Sequence, residues 1–463
     1  ASLLMVTTPN GSPIACVVLA AGQGTRMRSD KPKILHAVAH EPMIAHVCRA
    51  AEALSPARKV LVVGPELTSP PESLGDWLRV TQTDRLGTAD AVRKAVPHLE
   101  GFTGPVVVLF GDTPLVTSET IGDLAKTIDR EPRPAVTVLG MRPADPGRYG
   151  RLVLDHSGGL SSIVEFADAT ESQRSIPLCN AGLMAFDGAR LADILAAIDN
   201  NNAQGEFYLT NAVAVARAKG FDVAVTEASE SEVMGVNSRR DLAQAEAMMQ
   251  ERLRAAALEA GVTLADPSTT YLSADTRFGR DVEVGPCVEF CPGVTIGNGV
   301  LIRAFCHLEG ATVGDGVTLG PFARLRPGAD LGPEVHIGNF VEVKNVSMGQ
   351  GAKANHLTYL GDATVGEKTN VGAGTITANY DGARKHKTTI GADVSIGSNA
   401  VFVAPVSIGD GSLIGAGSIV TDDVDPGALA LSRSKQVNRA EMGRRIKDRN
   451  AALKAAETAK KKG

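Results

Sequence analysis

Two constellations along the sequence have the residue types and spacing for chemistry. In the first, Leu19-Ala-Ala-Gly22-Gln-Gly24-Thr25-Arg26-Met27 follows an apolar run, and a glycine-rich turn after a strand lets backbone N–H groups approach a phosphate closely. The turn lacks the Gly-Lys-Ser/Thr of a Walker loop and the Gly-x-Gly-x-x-Gly of a dinucleotide fold, so alone it reads equally well as a structural turn. Lys31-Pro-Lys33 adds weight. A lysine soon after such a loop can neutralise an α-phosphate and a leaving pyrophosphate in nucleotidyl transfer, whereas a lone lysine is usually just solvated. Phe110-Gly-Asp112 ends a second apolar run, where α/β sheets bind ligands; Asp112 either holds a divalent cation there or closes a turn.

The second constellation centres on His356, in Asn355-His-Leu-Thr-Tyr359-Leu-Gly-Asp. An imidazole can take a proton from an attacking amine, or simply be hydrogen-bonded at a chain corner. Around it lie Arg326, Lys344, Asn370, Asn379-Tyr380-Asp-Gly and Lys385. Three cations and several amides within sixty residues can converge on one face to bind a sugar phosphate, and a merely solvated face does not need Asn and Tyr interleaved with them.

The elements that must position these residues differ between the halves. From residue 14 to about 236, apolar runs such as Ile14–Ala20, Val60–Val63 and Val106–Phe110 alternate with helix-like stretches such as Met43–Leu54 and Ala89–Ala95, predicting an α/β layer fold with a largely parallel sheet. Arg239–Ala260 carries Leu242, Ala245, Met249 and Leu253 at helical spacing and stops at Gly261, as an arm joining the halves would. Beyond about 270 the period becomes six. Phe278, Val284, Phe290, Ile296, Ile302 and Leu308 stand six apart; the phase slips at Val313, and further phases run through Val365 and through Ile390–Val420. Six cannot be a helix face. It fits a short strand plus a tight corner at which Gly, Asn or Asp tolerates the dihedrals, so that eighteen residues make one triangular coil of a parallel β-helix. Residues 378–389 interrupt the rhythm and read as a loop leaving one face.

Composition agrees. The 463 residues allow two to four domains, and 49 glycines with 4% aromatics suit a solenoid filled by aliphatic columns. Lys plus Arg (47) against Asp plus Glu (52) gives −5, and basic residues cluster only near the end, so nucleic-acid binding is not expected. The apolar runs are too short to span a bilayer, and residues 1–13 lack the charged and apolar regions of a signal peptide. Six scattered cysteines without a CxxC pair read as reduced thiols of a soluble, cytoplasmic protein. His307, His336, His356 and His386 do not form the zinc pattern of β-helical carbonic anhydrases.

In order along residues 14–240, the motifs Leu-Ala-Ala-Gly-x-Gly-Thr-Arg-Met, Pro-Lys33, Gln82 with Leu86-Gly87-Thr88, Gly111-Asp112, Tyr149-Gly150-Arg151, Val164-Glu165, Asn180-Ala-Gly182 and Gly235-Val-Asn237 resemble the sugar-nucleotide pyrophosphorylases, most of all the N-acetylglucosamine-1-phosphate uridyltransferase branch. Arg324-Leu-Arg326-Pro-Gly, Gly338-Asn-Phe-Val-Glu-Val-Lys344, the His356 segment, Gly372-Ala-Gly-Thr-Ile-Thr-Ala-Asn379-Tyr-Asp-Gly and Ala404-Pro-Val resemble the glucosamine-1-phosphate acetyltransferase domain of a bifunctional family that joins both activities.

What this resemblance implies is a flexible N-terminus at 1–13, a Rossmann-like uridyltransferase domain at 14–238, a linker helix at 239–261, a left-handed β-helix acetyltransferase domain at 262–434 and a basic tail at 435–463. Uridine of UTP would meet Leu19, Ala20, Ala21, Gly22, Gln82, Gly87 and Thr88. The sugar would meet Gly150, Glu165 and Asn180, Mg²⁺ would be held by Asp112 and Asn237, and Lys33 and Arg26 would stabilise charge. His356 would be the general base for acetyl transfer, with Arg326, Lys344, Tyr359, Asn370, Asn379, Tyr380 and Lys385 on the sugar phosphate. Ala373, Ser398, Ala416 and Arg433 would meet acetyl-CoA, and a homotrimer would be the assembly. The rivals are a pyrophosphorylase whose β-helix only oligomerises, and a non-enzymatic scaffold. The sequence departs from the family at Asp90, where a histidine usually stands, and at Ala378, where many relatives have cysteine. An extra carboxylate near a triphosphate would repel it unless it faces away or helps bind the metal.

Overall fold

The computed structural model describes residues 11–67, 74–156, 159–202 and 204–460. Most of the 1–13 N-terminus and the last three residues of the basic tail lie outside the described residues. The chain divides into two compact units, Ala1–Ala260 with Tyr271–Thr276, and Gly261–Thr270 with Arg277–Gly463.

In the first unit, β1 (Ala15–Ala20), β2 (Arg58–Val63), β3 (Leu78–Thr81), β4 (Pro105–Phe110), β5 (Val136–Met141), β6 (Arg151–Leu154), β7 (Leu160–Val164), β8 (Cys179–Asp187) and β9 (Val223–Glu227) form a nine-stranded sheet. The order is β9-β5-β8-β4-β1-β2-β3, with β6 and β7 branching from β8. Neighbours along this path are parallel, except that β8 opposes β4 and β5. Helices α1 (Met43–Glu52), α2 (Thr88–Ala95), α3 (Ser118–Ile128), α4 (Gly188–Ala196) and α5 (Ala212–Ala218) cover both faces. The alternation of a strand explains the two layers. Cys16, Val18 and Ala20 pack with α1 and α3, while Ala15, Val17 and Leu19 pack with α2, α4 and α5.

The arm expected at 239–261 is α6 (Arg239–Glu259), opened by Ser238 and Asp241 in a capping box. It counts with the first unit, where Ala245 and Met249 pack on Val38, Met43 and Leu115. Gly261 follows with φ +91°, a conformation that suits glycine.

The second unit is a parallel β-helix. Val284, Ile302, Leu319, Ile337, Ala354 and Val371 stack in register as one buried column. A second column runs Phe290, Leu308, Leu325, Val343 and Leu360, and a third Ile296, Val313, Leu331, Met348 and Val365. Each such side chain, withdrawn from water, is worth roughly 1.5–3 kcal/mol. The phase slips in the sequence have a plain cause, since coils close after either 17 or 18 residues: Ile296 pairs Val313, whereas Val284 pairs Ile302. The interruption at 378–389 is a hairpin closed by an antiparallel bridge between Tyr380 and Lys385, after which Ile376 pairs Val401, 25 residues on.

One expectation needs correcting. Corners are not reserved for Gly, Asn and Asp: Phe305, Phe322 and Phe340 hold φ of 62°, 58° and 56°. Their rings stack on successive coils at centroid distances of 4.9 and 5.1 Å, which offsets part of the left-handed cost. The basic tail contains helix α7 (Met442–Lys460), exposed along its described length. Among the described residues no helix is long and apolar enough to cross a membrane.

Candidate active sites

The first site forms where β1 and β4 end. The Gly111 N–H donates to the Leu19 carbonyl at 2.9 Å, so the glycine-rich turn and Asp112 become neighbours. Leu19, Ala20, Ala21, Gly22, Lys33, Gln82, Gly87, Thr88 and Asp112 line one cleft of about 250 Å³. Lys33 is buried on the short turn Lys33–Leu35. Its ammonium donates to the Asp112 carboxylate, and to Asn237 Oδ1 at 3.0 Å. The backbone sets this up, because Val236 N–H donates to the Asp112 carbonyl at 2.8 Å and Asp241 holds Asn237 N–H at 2.9 Å. A carboxylate and an amide oxygen thus aim at one cation. Hard oxygen donors so arranged fit a hard divalent cation.

A second hollow of about 690 Å³ shares Thr88 and Phe110 with the first and is lined by Glu165 and Asn180. Gly150 belongs here through Asn180, whose N–H donates to its carbonyl at 2.8 Å; a Cβ on Gly150 would stand 3.4 Å from Glu165 Oε2. Desolvation, with Asp168 alongside, holds the Glu165 carboxyl above the usual range. Arg26 is exposed on the turn Thr25–Met27 and does not line the cleft. Asp90 does not line the cleft: Gln82 Nε2 donates to its Oδ2 at 2.8 Å, and Lys94 stands 3.8 Å from its other oxygen. Sequence reasoning missed Arg85, whose Nε donates to the Ala21 carbonyl at 2.6 Å and steadies the turn; nothing in its sequence context signals this.

In the second unit, Asn339 and His356 are register neighbours on successive coils, and His356 Nδ1 lies 2.7 Å from Asn339 Oδ1. An amide oxygen only accepts, so the contact is made through a proton on Nδ1, and in the neutral form this leaves the lone pair on Nε2, as a general base needs. Thr358 Oγ1 donates to the His356 carbonyl at 2.8 Å, fixing the corner. Sequence reasoning names Asn339 only within the Gly338–Lys344 motif and gives it no role, although it stands one coil before His356.

The cations do gather. The Lys385 amine against Lys344, together with partial desolvation, holds the Lys344 pKa below the ordinary lysine value, and Arg326 adds to this. Arg326 is also paired with Glu342 at 2.7 Å. Against the upward push of desolvation, the amides of Asn345 and Asn379 hold the Asp362 carboxyl below the usual range. Tyr380 is exposed, its hydroxyl donating to the Gly382 carbonyl at 2.6 Å within the hairpin. The set is split, however: Lys344 and Tyr359 lie on the fifteen-stranded sheet, while Asn370 and His356 lie on the ten-stranded one. Ala373, Ser398, Ala416 and Arg433 form a ladder along later coils. Asn399 N–H donates to the Ala373 carbonyl at 2.7 Å, Gly417 N–H to Ser398 at 2.8 Å, and Arg433 Nη1 to Ala416 at 2.8 Å.

Residues 16–177 match the family model of the MobA-like NTP transferase domain, and residues 310–345 and 387–422 match that of the bacterial transferase hexapeptide (six repeats). The gap between the two hexapeptide matches holds His356 and the hairpin. The chain is 52% identical over 445 residues to the "Bifunctional protein GlmU" of Paramagnetospirillum magneticum, covering 96% of this chain and 99% of that one. It is 55% identical over 419 residues to the protein of that name from Rhodospirillum rubrum, covering 90% and 94% of the two chains. With that of Jannaschia sp. the identity is 48% over 458 residues, covering 98% and 100%. Among solved structures, a CMP:2-keto-3-deoxy-manno-octonic acid synthetase complexed with CTP aligns with 52% of this chain and 100% of its own, at 17% identity and a TM-score of 0.42.

Proposed function

The chain belongs to the family of bifunctional GlmU proteins, and on that premise we propose how its two units divide the work. The second unit acetylates: the 2-amine of glucosamine-1-phosphate attacks the acetyl-CoA thioester, coenzyme A leaves as the thiol, and N-acetylglucosamine-1-phosphate forms. The first unit then lets a phosphate oxygen of that product attack the α-phosphate of UTP in line, releasing pyrophosphate and leaving UDP-N-acetylglucosamine. This product is a precursor of the bacterial cell envelope.

His356 Nε2 takes the proton of the attacking amine while Asn339 holds the ring from behind. Arg326, Lys344 and Lys385, with Tyr359, Asn370, Asn379 and Tyr380, bind the sugar phosphate; Ala373, Ser398, Ala416 and Arg433 bind coenzyme A. In the first unit Leu19–Gly22, Gln82, Gly87 and Thr88 read uridine, Gly150, Glu165 and Asn180 read the sugar, and Lys33 offsets charge on the phosphates. Asp112 and Asn237 hold a divalent cation, taken to be Mg²⁺, which when bound screens the triphosphate. A homotrimer is part of the same reading. It is supported by the division of the acetyl-site residues between two sheets, which a neighbouring copy can complete, and by the exposed stack Phe305–Phe322–Phe340. A cytoplasmic setting is supported by six free thiols.

The observation that carries most weight is the short contact of His356 Nδ1 with Asn339 Oδ1 in a unit that also crowds three cations together, because neither serves a helix that only oligomerises. The test is thiol release from acetyl-CoA on adding glucosamine-1-phosphate, intact protein against His356→Ala. Release abolished by the substitution upholds the acetyltransferase. No release from an intact protein that still makes UDP-N-acetylglucosamine overturns it.

A further inference from the structure

Gln82 and Asp90 form a buried pair that sequence reasoning left unexplained. Gln82 follows β3, its backbone N–H donating to the Val63 carbonyl at 2.9 Å, and its side chain lines the first cleft while remaining 4% exposed. Asp90, 7% exposed, comes from the first turn of α2. Gln82 Nε2 donates to Asp90 Oδ2 at 2.8 Å and to the Gly87 carbonyl at 3.0 Å. A carboxamide has two N–H groups, and both are used. Neither partner can donate in return, since one is a carbonyl and the other a carboxylate whose second oxygen faces Lys94. Turning the amide over would set Oε1 against two oxygens in a buried place, which is the costly arrangement for an unpaired polar group. The orientation is therefore fixed, and Oε1 alone remains to meet a ligand in the cleft.

We propose that Asp90 is a specificity-determining positioning residue: by locking the Gln82 carboxamide with its oxygen free, it makes the cleft demand a base that presents an N–H donor there. Uracil does so at N3; cytosine carries a lone pair at that atom and meets the oxygen with repulsion. The inference rests on the reading that Gln82 faces the base of a nucleoside triphosphate, and it deepens that reading by assigning the discrimination to the residue behind. It also accounts for a carboxylate so near a triphosphate site. Asp90 spends its charge on Gln82 and Lys94, away from the phosphates.

The experiment compares UTP with CTP as co-substrate for N-acetylglucosamine-1-phosphate, in the full-length protein and in Asp90→Asn and Asp90→Glu. Asparagine is isosteric but can donate to Gln82 Oε1, so only the Gly87 carbonyl still opposes the turned-over amide and the lock is weakened; glutamate remains acceptor-only. For Asp90→Asn the UTP to CTP ratio of kcat/KM is expected to fall about tenfold, the size of one misplaced hydrogen bond, mainly through a higher KM for UTP. Asp90→Glu is expected to recover part of the ratio. An unchanged unfolding midpoint of the first unit, with retained turnover of UTP, checks that each variant is folded. An unchanged ratio in a folded Asp90→Asn protein overturns the proposal while sparing the uridyltransferase reading. Wild-type protein that uses UTP and CTP equally overturns the base-reading role of Gln82, and the proposal with it.

Discussion

Asn339→Leu is the perturbation that tests the acetyl site most finely. Leucine keeps bulk next to His356 but cannot accept from Nδ1–H, so the ring loses its anchor and the tautomer with its lone pair on Nε2 is no longer enforced. A hydrogen bond between neutral groups is worth about 0.5–1.5 kcal/mol, which is roughly a 2- to 13-fold effect on rate. Because His356 is exposed and water competes for the proton, the lower part of that range is expected. His356→Ala removes the base itself and should cost roughly 10²–10⁴-fold. The assay is initial coenzyme A release at saturating acetyl-CoA, with kcat and KM for glucosamine-1-phosphate resolved. The loss in Asn339→Leu should fall on kcat, and Asn339→Asp, which still accepts, should retain most of it. Wild-type kcat in Asn339→Leu would refute the anchoring argument, and a mild effect in His356→Ala would refute the general base.

Three other outcomes follow from the same geometry. Lys385→Ala should weaken glucosamine-1-phosphate binding several-fold at neutral pH and let the Lys344 pKa return upward. A lowered ammonium pKa means phosphate binding fails as pH rises through that value, so the alkaline rise in KM should begin at higher pH in the variant than in the wild type. Exposed Cys287 should be the first thiol to react in native protein, while burial pushes Cys16 up to about 12 and Cys291 and Cys306 up to about 11; mass spectrometry after brief alkylation reads this, and acetyl transfer should survive it. Gly338→Ala would place a Cβ 1.9 Å from the Asn355 carbonyl oxygen, forcing apart the coils that carry Asn339 and His356. A loss of about 1–3 kcal/mol by denaturant unfolding, with acetyl transfer impaired beyond that of Asn339→Leu, is expected.

How legible all this was in the sequence depended on the kind of order involved. The six-residue period exposed the β-helix because one inward aliphatic per strand is a requirement of packing. The first-half motifs could be placed because α/β sheets concentrate ligand-binding loops at strand ends. Long-range partners were not legible. Nothing near Arg85 announces its bond to Ala21, and Asp90 read as a liability because its partner Gln82 comes from a different element. Arg26, singled out beside Gly24, is exposed and does not line the cleft. The division of Asn370 from Lys344 between two sheets also escaped, because a period in the chain does not tell which side of a coil a residue occupies.

The stacking of coils has an evolutionary corollary. His356 faces Asn339, and Asn379 faces Asp362, because each pair is separated by 17 residues, one circuit of the chain. Circuits of 17 and of 18 residues both close, but losing or gaining residues beyond that tolerance turns everything downstream to another side and dismantles the site at a stroke. Duplicating or deleting a whole circuit outside it only lengthens or shortens the column. Such a protein tolerates change in whole turns or in excursions like the Tyr380–Lys385 hairpin, which leave and rejoin the winding at the same place. Lineages should therefore differ in length by complete circuits and in hairpin size, while the count between paired residues of the site stays fixed.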